Sequence, residues 1–441
     1  MRDSNLSRTE NTSRTAAEAF VTDLGHFVSA SPSSFHAAEE SARRLEAAGF
    51  TRLSETDAWT DLRGEFFVVR DGAIIAWVCP EAADSNSPFH IVGAHTDSPS
   101  LKLKPASTIG RDGFTQVGVE VYGGTLLNSW LDRELCLAGR LITRDGTQHL
   151  TRTGPMMRVP QLAVHLDRGV NGEGLVLDPQ QHMQPVFGLG ETTAADVLGI
   201  LADAAGIDAT DVSGYDIVTM DTQPPAIFGA DRDFFASPRL DNLSSTHAGL
   251  TALIEVSASP RDDAPIAVFV SNDHEEIGSS TRSGAAGPFL EDILVRLHMS
   301  LGGDQASLRR AYANSAVISS DAGHSVHPNY PERHDPAVRP VLGGGPLLKI
   351  NANQRYATDA QGAAMWARIC EAAEVPYQEF VSKNTMPCGS TIGPITATRL
   401  GMLTVDVGIP LLSMHSVREM CAVVDPLRLE LALREFLAGT D

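Results

Sequence analysis

Apolar and polar residues follow two different periodicities along the chain. Between Ala16 and Phe50 the apolar residues recur at helical spacing, and a Ser-Pro turn divides them into two predicted amphipathic helices. The runs "EFFVVR" and "AIIAWVCP" flank Asp71-Gly72, a pair typical of tight turns, and predict a β-hairpin. The runs "FHIVGAH" and "PIAVFVSN" are largely apolar on both faces, which predicts strands in the interior of a sheet.

The pattern divides the chain into two parts. Strand and helix signals alternate in residues 16–102 and 233–441, whereas residues 103–232 carry short β-like runs separated by Gly, Asp and Thr. We therefore predict an α/β domain, with a mixed sheet and helices on both faces, that is interrupted by an inserted, mainly β domain. The polar residues 1–15 are predicted to form a disordered tail before a helix that begins near Ala16.

Composition narrows the class of protein. With 34 Lys and Arg against 55 Asp and Glu, the chain of 441 residues carries a net charge of −21, which argues against binding nucleic acid or anionic membranes. No apolar run approaches the length that spans a bilayer, and the polar start is not a secretory signal. The five cysteines are scattered without a C-x-x-C pair, so we expect no disulfide framework and a cytoplasmic protein.

Residues with metal-binding side chains follow the predicted strands of the α/β part. They are His95, Asp97, Asp241, Glu275, Glu276, Asp321 and His415. Because the carboxyl ends of parallel strands share one edge of a sheet, we expect these side chains to lie close together. Nitrogen and oxygen donors without sulfur favour zinc, manganese or cobalt. Asp97 is placed to accept a hydrogen bond from the second ring nitrogen of His95.

Each of these residues also has an ordinary structural interpretation. Asp241 precedes a predicted helix and could serve as its N-cap, Asp321 could form an Asx-turn, and the Glu275-Glu276 pair could lie in a solvated turn. Their common position at strand ends favours a metal site. Two adjacent glutamates then suit two tasks, because one can bind metal while the other transfers protons.

Several longer stretches carry a resemblance to a known family. They are "GAHTDSPSLKLKP", "SPRLDNLSS", "NDHEEIGSSTRSGA", "SSDAGHSVHPNYPERHDP", "LKINANQRYATDA" and "MPCGSTIGPITATRLGM", with "RVPQLAVHLDRGVN" in the insertion. On these stretches the chain resembles the co-catalytic zinc exopeptidases and, within them, the aspartyl aminopeptidase family. The resemblance implies the zinc-exopeptidase fold and a metallo-aminopeptidase that hydrolyses N-terminal Asp or Glu from short peptides.

The resemblance also implies a role for each strand-end residue. Asp241 would bridge two zinc ions, for which manganese or cobalt could substitute. His95 and Asp321 would complete the shell of one ion, and Glu276 and His415 that of the other. Relatives often have a cis peptide bond directly after the bridging aspartate.

Glu275 distinguishes an enzyme from a zinc-bearing binding protein without turnover. By resemblance it would stay off the metals and act as general base on the water that bridges the two ions, with Asp97 as a further catalytic residue. A purely structural metal site has no use for such a glutamate, so the sequence favours the enzyme.

The resemblance assigns the substrate side chain to the second half of the chain. By resemblance Lys349 would bind an acidic side chain. Its stretch of the sequence also offers Arg355 and Tyr356, and Met386 and Gly389 are candidates for lining the pocket. A surface lysine at a strand end is the alternative for Lys349. The alternative specificity is a neutral or hydrophobic N-terminal residue with the same dizinc chemistry.

Histidines outside the strand ends receive other roles. The resemblance implies that residues 103–232 form a dimerisation domain, whose His165 would reach a neighbouring subunit's active site and stabilise the reacting carbonyl. Dimers would then build a homo-oligomer, a dodecamer in the family. An ordinary strand histidine is the alternative for His165. For His324, His327 and His334, in a Pro-rich loop, we expect loop structure or a lining of the substrate side rather than another metal site.

Overall fold

The computed structural model describes residues 6–190, 196–259 and 261–439. Its helices are α1 (Leu6–Ala30), α2 (Ser34–Ala47), α3 (Val170–Glu173), α4 (Val197–Ala205), α5 (Leu240–Ser257), α6 (Phe289–Ser300), α7 (Gln305–Ala313), α8 (Ala360–Ala372), α9 (Ile392–Leu400) and α10 (Asp425–Ala438). Its strands are β1 (Thr51–Arg52), β2 (Gly64–Arg70), β3 (Ala73–Cys79), β4 (Phe89–His95), β5 (Ser100–Arg111), β6 (Phe114–Tyr122), β7 (Leu135–Thr143), β8 (Gln148–Arg152), β9 (Val186–Leu189), β10 (Val212–Asp221), β11 (Ala226–Phe228), β12 (Phe234–Ser237), β13 (Ile266–Asn272), β14 (Ala316–Ser320), β15 (Gly323–His324), β16 (Leu347–Lys349), β17 (Gln378–Phe380), β18 (Leu403–Gly408), β19 (Pro410–Leu411) and β20 (Glu419–Ala422).

A mixed sheet forms the centre of the α/β part. Within the described residues it has nine strands in the order β1-β2-β3-β13-β4-β14-β18-β16-β17. Alternate residues of β3 face opposite sides: Ile74 packs in the core with α1, α2, α5, α8 and α10, whereas Ile75 and Trp77 pack in the core with α6 and α7. Helices therefore cover both faces, and the predicted mixed α/β fold is confirmed.

A second sheet is built from the insertion. Its strands in the described part of the chain run antiparallel in the order β8-β7-β10-β5-β6-β9. They enclose a separate core that includes Val119, Leu137 and Ile217. Along the chain, the first strand of this sheet is β5, which begins at Ser100. This is three positions before the domain boundary at residue 103 that the sequence predicts, because few residues separate the end of β4 from the start of β5.

Two local predictions have different outcomes. The hairpin is confirmed, since β2 and β3 pair up to Arg70 and Ala73 around Asp71, which has a φ of 56°. The predicted tail is wrong in part, because α1 begins at Leu6 and not near Ala16, while residues 1–5 lie outside the described residues. Arg14 forms an ion pair with Glu18, one turn further along α1, and another with Asp233 from a distant part of the chain.

The sheet brings the predicted strand ends to one edge. β13, β4, β14 and β18 are neighbouring parallel strands, and Asn272 at the end of β13 pairs with His95 at the end of β4. The chain leaves β14 directly before Asp321. No helix in the described ranges is long and apolar enough to cross a membrane.

Close packing of α5 on this sheet generates a stability prediction. A Cβ on Gly249 would lie 2.8 Å from the Phe269 ring and 3.0 Å from Val92 Cγ1. Gly249→Ala should therefore destabilise the fold by about 1–3 kcal/mol, although alanine is the better helix former. Gly154→Ala is the control, since a Cβ there meets nothing within 4 Å. Equal melting temperatures for the two variants would show that α5 does not need this close approach.

Candidate active site

The strand-end residues converge on two groups of donors that share Asp241. One of these two groups is His95, Asp241 and Asp321, and the other is Asp241, Glu276 and His415; a third set without Asp241, made of His95, Glu275 and Glu276, also has its ligand atoms within 4.8 Å of one another. His95 Nε2 lies 3.4 Å from Asp241 Oδ1 and 3.7 Å from Asp321 Oδ1. His415 Nε2 lies 3.3 Å from Asp241 Oδ2 and 3.5 Å from Glu276 Oε2. Asp241 thus presents one carboxylate oxygen to each group.

The donor geometry fits zinc. Ligand atoms about 2.0 Å from a tetrahedral zinc ion lie about 3.3 Å from one another, close to the distances in both groups. Asp241 Oδ1 and Glu276 Oε1 are buried and have no hydrogen-bond partner among the described residues. Buried carboxylate oxygens are rarely left in that state unless they bind a cation. The residues present therefore suit a metal on each side of Asp241.

The pKa shifts within the cluster also favour a bound cation. Burial raises the pKa of Glu275 to about 8, and the nearby Asp321 and Asp241 charges contribute to this increase. Burial also raises the pKa of Glu276 well above its ordinary value. Although burial disfavours its charged form, the hydrogen bond to Asp241 raises the pKa of His415 to about 10. The cluster thus attracts positive charge, and a divalent cation supplies it.

Asp241 occupies an irregular backbone position. It lies inside the span of α5 with non-helical angles, φ −81° and ψ 103°, and the Asp241-Asn242 peptide bond is cis. The regular part of α5 follows Asp241 and Asn242, and Asp241 Oδ1 has no hydrogen-bond partner among the described residues. The Asp241 carboxylate is directed at the two histidines.

Glu275 and Glu276 differ in burial and surroundings. Both lie in a 3₁₀ turn after β13 that begins where His274 adopts a left-handed φ of 63°. The Glu276 side chain is 4% exposed and faces His415, whereas the Glu275 side chain is 16% exposed, with Oε2 4.0 Å from His95 Nε2. Glu275 therefore borders the His95 group on its more open side.

Asp97 holds this turn in place. Its Oδ1 accepts a hydrogen bond from the backbone N–H of Glu275 at 3.0 Å, and its Oδ2 accepts one from that of Glu276 at 3.2 Å. His95 Nδ1 lies 3.3 Å from Asp97 Oδ1 but 3.0 Å from the Asp97 carbonyl oxygen. The Asp97 carboxylate, which the sequence predicts to orient His95, thus shares that role with the Asp97 carbonyl oxygen. It also positions Glu275 and Glu276.

Glu419 is a site residue that the sequence reasoning missed. Its Oε2 accepts from the backbone N–H of Asp241 at 2.9 Å, and its Oε1 accepts from that of His415 at 2.7 Å. The side chain is almost fully buried, and burial together with the Asp241 charge raises its pKa to about 8. A carboxylate four residues after a candidate ligand histidine was the available signal.

Lys349 is buried behind Asp321. It is 1% exposed, so the alternative of a surface lysine is wrong. Its Nζ donates to the Ala322 carbonyl at 2.8 Å, lies 3.9 Å from Asp321 Oδ2 and stands 5.4 Å from the centre of the Tyr356 ring. The ammonium group thus lies next to a candidate metal ligand and against an aromatic face.

The other predicted pocket residues surround Tyr356. Tyr356 packs with Phe380 and with Cys388, which lies between Met386 and Gly389 in the chain. Met386 is 38% exposed, and the Gly389 carbonyl accepts from Arg355 Nε at 3.4 Å. The segment that carries Met386 and Gly389 therefore lies beside the Tyr356 ring.

The three loop histidines have separate environments. His324 stands with its ring centre 6.2 Å from that of Phe380, and burial together with the Lys349 charge lowers its pKa. The His327 backbone N–H donates to His334 Nε2 at 3.0 Å. The expectation of loop structure therefore fits His327 and His334, while His324 borders the Lys349 region.

His165 is exposed and belongs to neither donor group of its own chain. Its neighbours Leu162, Val164 and Leu166 are 58%, 52% and 75% exposed. An apolar segment of this kind on the surface is typical of a protein contact.

Two donor groups joined by one carboxylate, at the carboxyl edge of an α/β sheet, define the class of protein as a metalloenzyme. Comparison with known proteins gives the family. The profile described as "Aminopeptidase I zinc metalloprotease (M18)" matches residues 27–437. The chain therefore belongs to the M18 family of zinc metallo-aminopeptidases, in agreement with the resemblance seen in its sequence.

Individual relatives agree with this assignment. The chain is 52% identical over 417 residues to the "Probable M18 family aminopeptidase 2" of Streptomyces coelicolor, covering 94% of this chain and 96% of the relative. Among solved structures, the Ape4 chain of the Ape4 and Nbr1 complex is similar with a TM-score of 0.93 and 34% identity, covering 97% of this chain and 87% of that one. The mApe1 dodecamer of Saccharomyces has a TM-score of 0.83 and 27% identity, covering 95% and 96%.

The two adjacent glutamates should differ in their effect on metal binding. Glu276→Gln replaces a carboxylate that faces His415 and should weaken zinc binding at least about tenfold, whereas Glu275→Gln should retain wild-type affinity. Zinc retained during dialysis against graded chelator, measured by atomic emission, gives both values. Equal zinc loss from the two variants would contradict the separation of roles.

Proposed function

We propose that the protein is an aminopeptidase that removes N-terminal Asp or Glu from short peptides, using two zinc ions and Glu275 as general base. The observation that supports this most directly is the Asp241 carboxylate, whose two oxygens serve two donor groups while Glu275 borders them. His95 and Asp321 would hold one ion, Glu276 and His415 the other, and Asp241 both.

Bound zinc would supply Lewis-acid polarisation of the scissile carbonyl and a water of lowered pKa. The remaining steps belong to side chains of the protein. Glu275 takes the proton from the attacking water and passes it to the leaving amine. Asp97 keeps Glu275 in position by accepting its backbone N–H at 3.0 Å. The carboxylates around the site attract the free α-amine of the substrate.

Selectivity for acidic residues requires a local cation, since the chain as a whole carries a charge of −21. Lys349 supplies one. Only the Ala322 carbonyl accepts a hydrogen bond from its Nζ among the described residues, so the ammonium group has further N–H groups for a substrate carboxylate. Its burial strengthens such a contact, because water does not compete for it.

The acidic preference is tested with substrates that carry N-terminal Asp, Glu or Leu. Lys349→Met should lower kcat/KM for the Asp and Glu substrates by about 10- to 100-fold, since a hydrogen bond to a charged group contributes about 1.5–3 kcal/mol. The Leu substrate should lose far less. Arg368→Met is the matched control, because this cation is exposed on α8 and belongs to none of the predicted site residues.

Three other results are informative. If Lys349→Met lowers kcat/KM equally for all three substrates, Lys349 supports Asp321 and does not determine selectivity. Wild-type protein that prefers the Leu substrate would support the alternative specificity. Zinc-loaded protein with no turnover on any substrate would support a zinc-binding protein without catalysis.

We further propose that the protein acts as a homo-oligomer in the cytoplasm. The exposed segment Leu162–Leu166 offers an apolar surface around His165, and the similar mApe1 is a dodecamer. In such an assembly, built from dimers, His165 would enter the active site of the neighbouring subunit and donate to the reacting carbonyl. The scattered cysteines, without a C-x-x-C pair, support the reducing compartment in this proposal.

Subunit complementation tests the role of His165. His165→Ala and Glu275→Gln should each reduce kcat, the latter by about 10²–10⁴-fold. Unfolding and refolding the two variants together in equal amounts should restore about a quarter of wild-type activity, because about half of the dimers are mixed and each mixed dimer has one complete site. Each variant refolded alone is the control. A mixture as inactive as the single variants would show that His165 does not act across the interface.

A further inference from the structure

A short segment of the insertion contacts His415, a member of one donor group, and Asp97, the neighbour of His95 in the other. The segment Tyr122–Gly124 begins at the last residue of β6, a strand of the second sheet. The Tyr122 hydroxyl donates to Asp97 Oδ2 at 2.7 Å. Two residues further on, the Gly124 carbonyl oxygen lies 3.0 Å from His415 Nδ1.

The Tyr122 hydrogen bond completes the surroundings of Asp97. The carboxylate also accepts the backbone N–H groups of Glu275 and Glu276 and lies 3.3 Å from His95 Nδ1. Each oxygen thus faces two donors, which fixes the plane of the carboxylate. Because Asp97 in turn orients the turn with both glutamates, rotation of this one side chain would displace a candidate ligand and the general base together.

The Gly124 carbonyl selects the orientation of His415. A histidine that donates Nδ1–H to a backbone carbonyl presents an unprotonated Nε2. In this structure Nε2 is the nitrogen that faces Asp241 and Glu276. The backbone N–H of Leu126 also donates to the His415 carbonyl at 3.0 Å, so the insertion holds this histidine at two points.

The two glycines permit this approach. Gly123 has a φ of 71°, and a Cβ on it would lie 3.2 Å from Glu276 Cβ. A Cβ on Gly124 would lie 3.3 Å from His415 Nδ1. Side chains at these positions would displace Glu276 or His415 by a few tenths of an ångström, and at Gly123 they would also strain the backbone, so glycine favours the close contact.

We propose that Tyr122 is a positioning residue for the metal centre, and that the segment Tyr122–Gly124 makes the insertion a structural part of that centre within each chain. Tyr122 fixes the Asp97 carboxylate, and Gly124 fixes the His415 ring. The effect on turnover rests on the proposed function, whereas the effect on zinc binding does not.

The test compares Tyr122→Phe with Tyr215→Phe in the full-length protein. Both substitutions remove one hydroxyl from the second sheet, but the Tyr215 hydroxyl donates to the Lys104 carbonyl at 2.9 Å, away from the donor groups. Tyr122→Phe should weaken zinc binding about 10- to 100-fold in a competition with a chromogenic chelator. It should also alter the visible absorption of the cobalt-substituted protein and lower kcat with little change in KM. Tyr215→Phe should match wild type in every measurement.

A second pair of variants tests the same segment in case Tyr122→Phe does not fold. Gly123→Ala should weaken zinc binding, while Gly113→Ala should not, because Gly113 has a similar φ of 82° but open space around its Cβ position. Melting temperatures exclude variants that unfold. Wild-type zinc affinity and cobalt spectrum in Tyr122→Phe would overturn the proposal, and so would equal zinc loss in Tyr215→Phe. If Tyr122→Phe loses zinc and the wild type has no peptidase activity, the proposal for Tyr122 is supported and the proposed function is refuted.

Discussion

The arrangement of the site depends on one carboxylate that serves two groups of donors. Asp241 Oδ1 lies 3.4 Å from His95 Nε2, and Oδ2 lies 3.3 Å from His415 Nε2. Burying several carboxylates together is unfavourable unless positive charge compensates them. Because Asp241 belongs to both groups, the spacing between the two groups of donors is fixed by a single side chain.

Around this carboxylate, backbone N–H groups and carbonyls hold the other donors. Glu419 accepts the N–H groups of Asp241 and His415, while Asp97 accepts those of Glu275 and Glu276. These hydrogen bonds fix main-chain atoms, so Asp241, His415 and Glu276 are held in place before they bind anything. The site is thereby preorganised, which lowers the cost of arranging it around a substrate.

Several elements of the fold and the site were predictable from local patterns. Strand ends of apolar runs located His95, Glu275 and Asp321, since strand periodicity depends on neighbouring residues alone, whereas Asp241 lies at an irregular position inside α5. Other features were not predictable. The first turns of α1 lack an apolar pattern, yet Arg14 anchors them to a distant part of the chain. A lysine at a strand end gives no sign of whether it is exposed, and only packing buries Lys349.

The sequence by itself determined the family, the mixed α/β architecture and the set of candidate donors, because each of these is encoded by periodicity or by short motifs. The tertiary structure alone decided which donors share an oxygen of Asp241, which glutamate is the more open, and which residues orient them. Glu419 contacts Asp241 across 178 positions of sequence, and Tyr122, at the end of a strand of the second sheet, contacts Asp97 in the loop after β4. Such contacts depend on how sheets and loops pack in three dimensions, and no local pattern of residues specifies that.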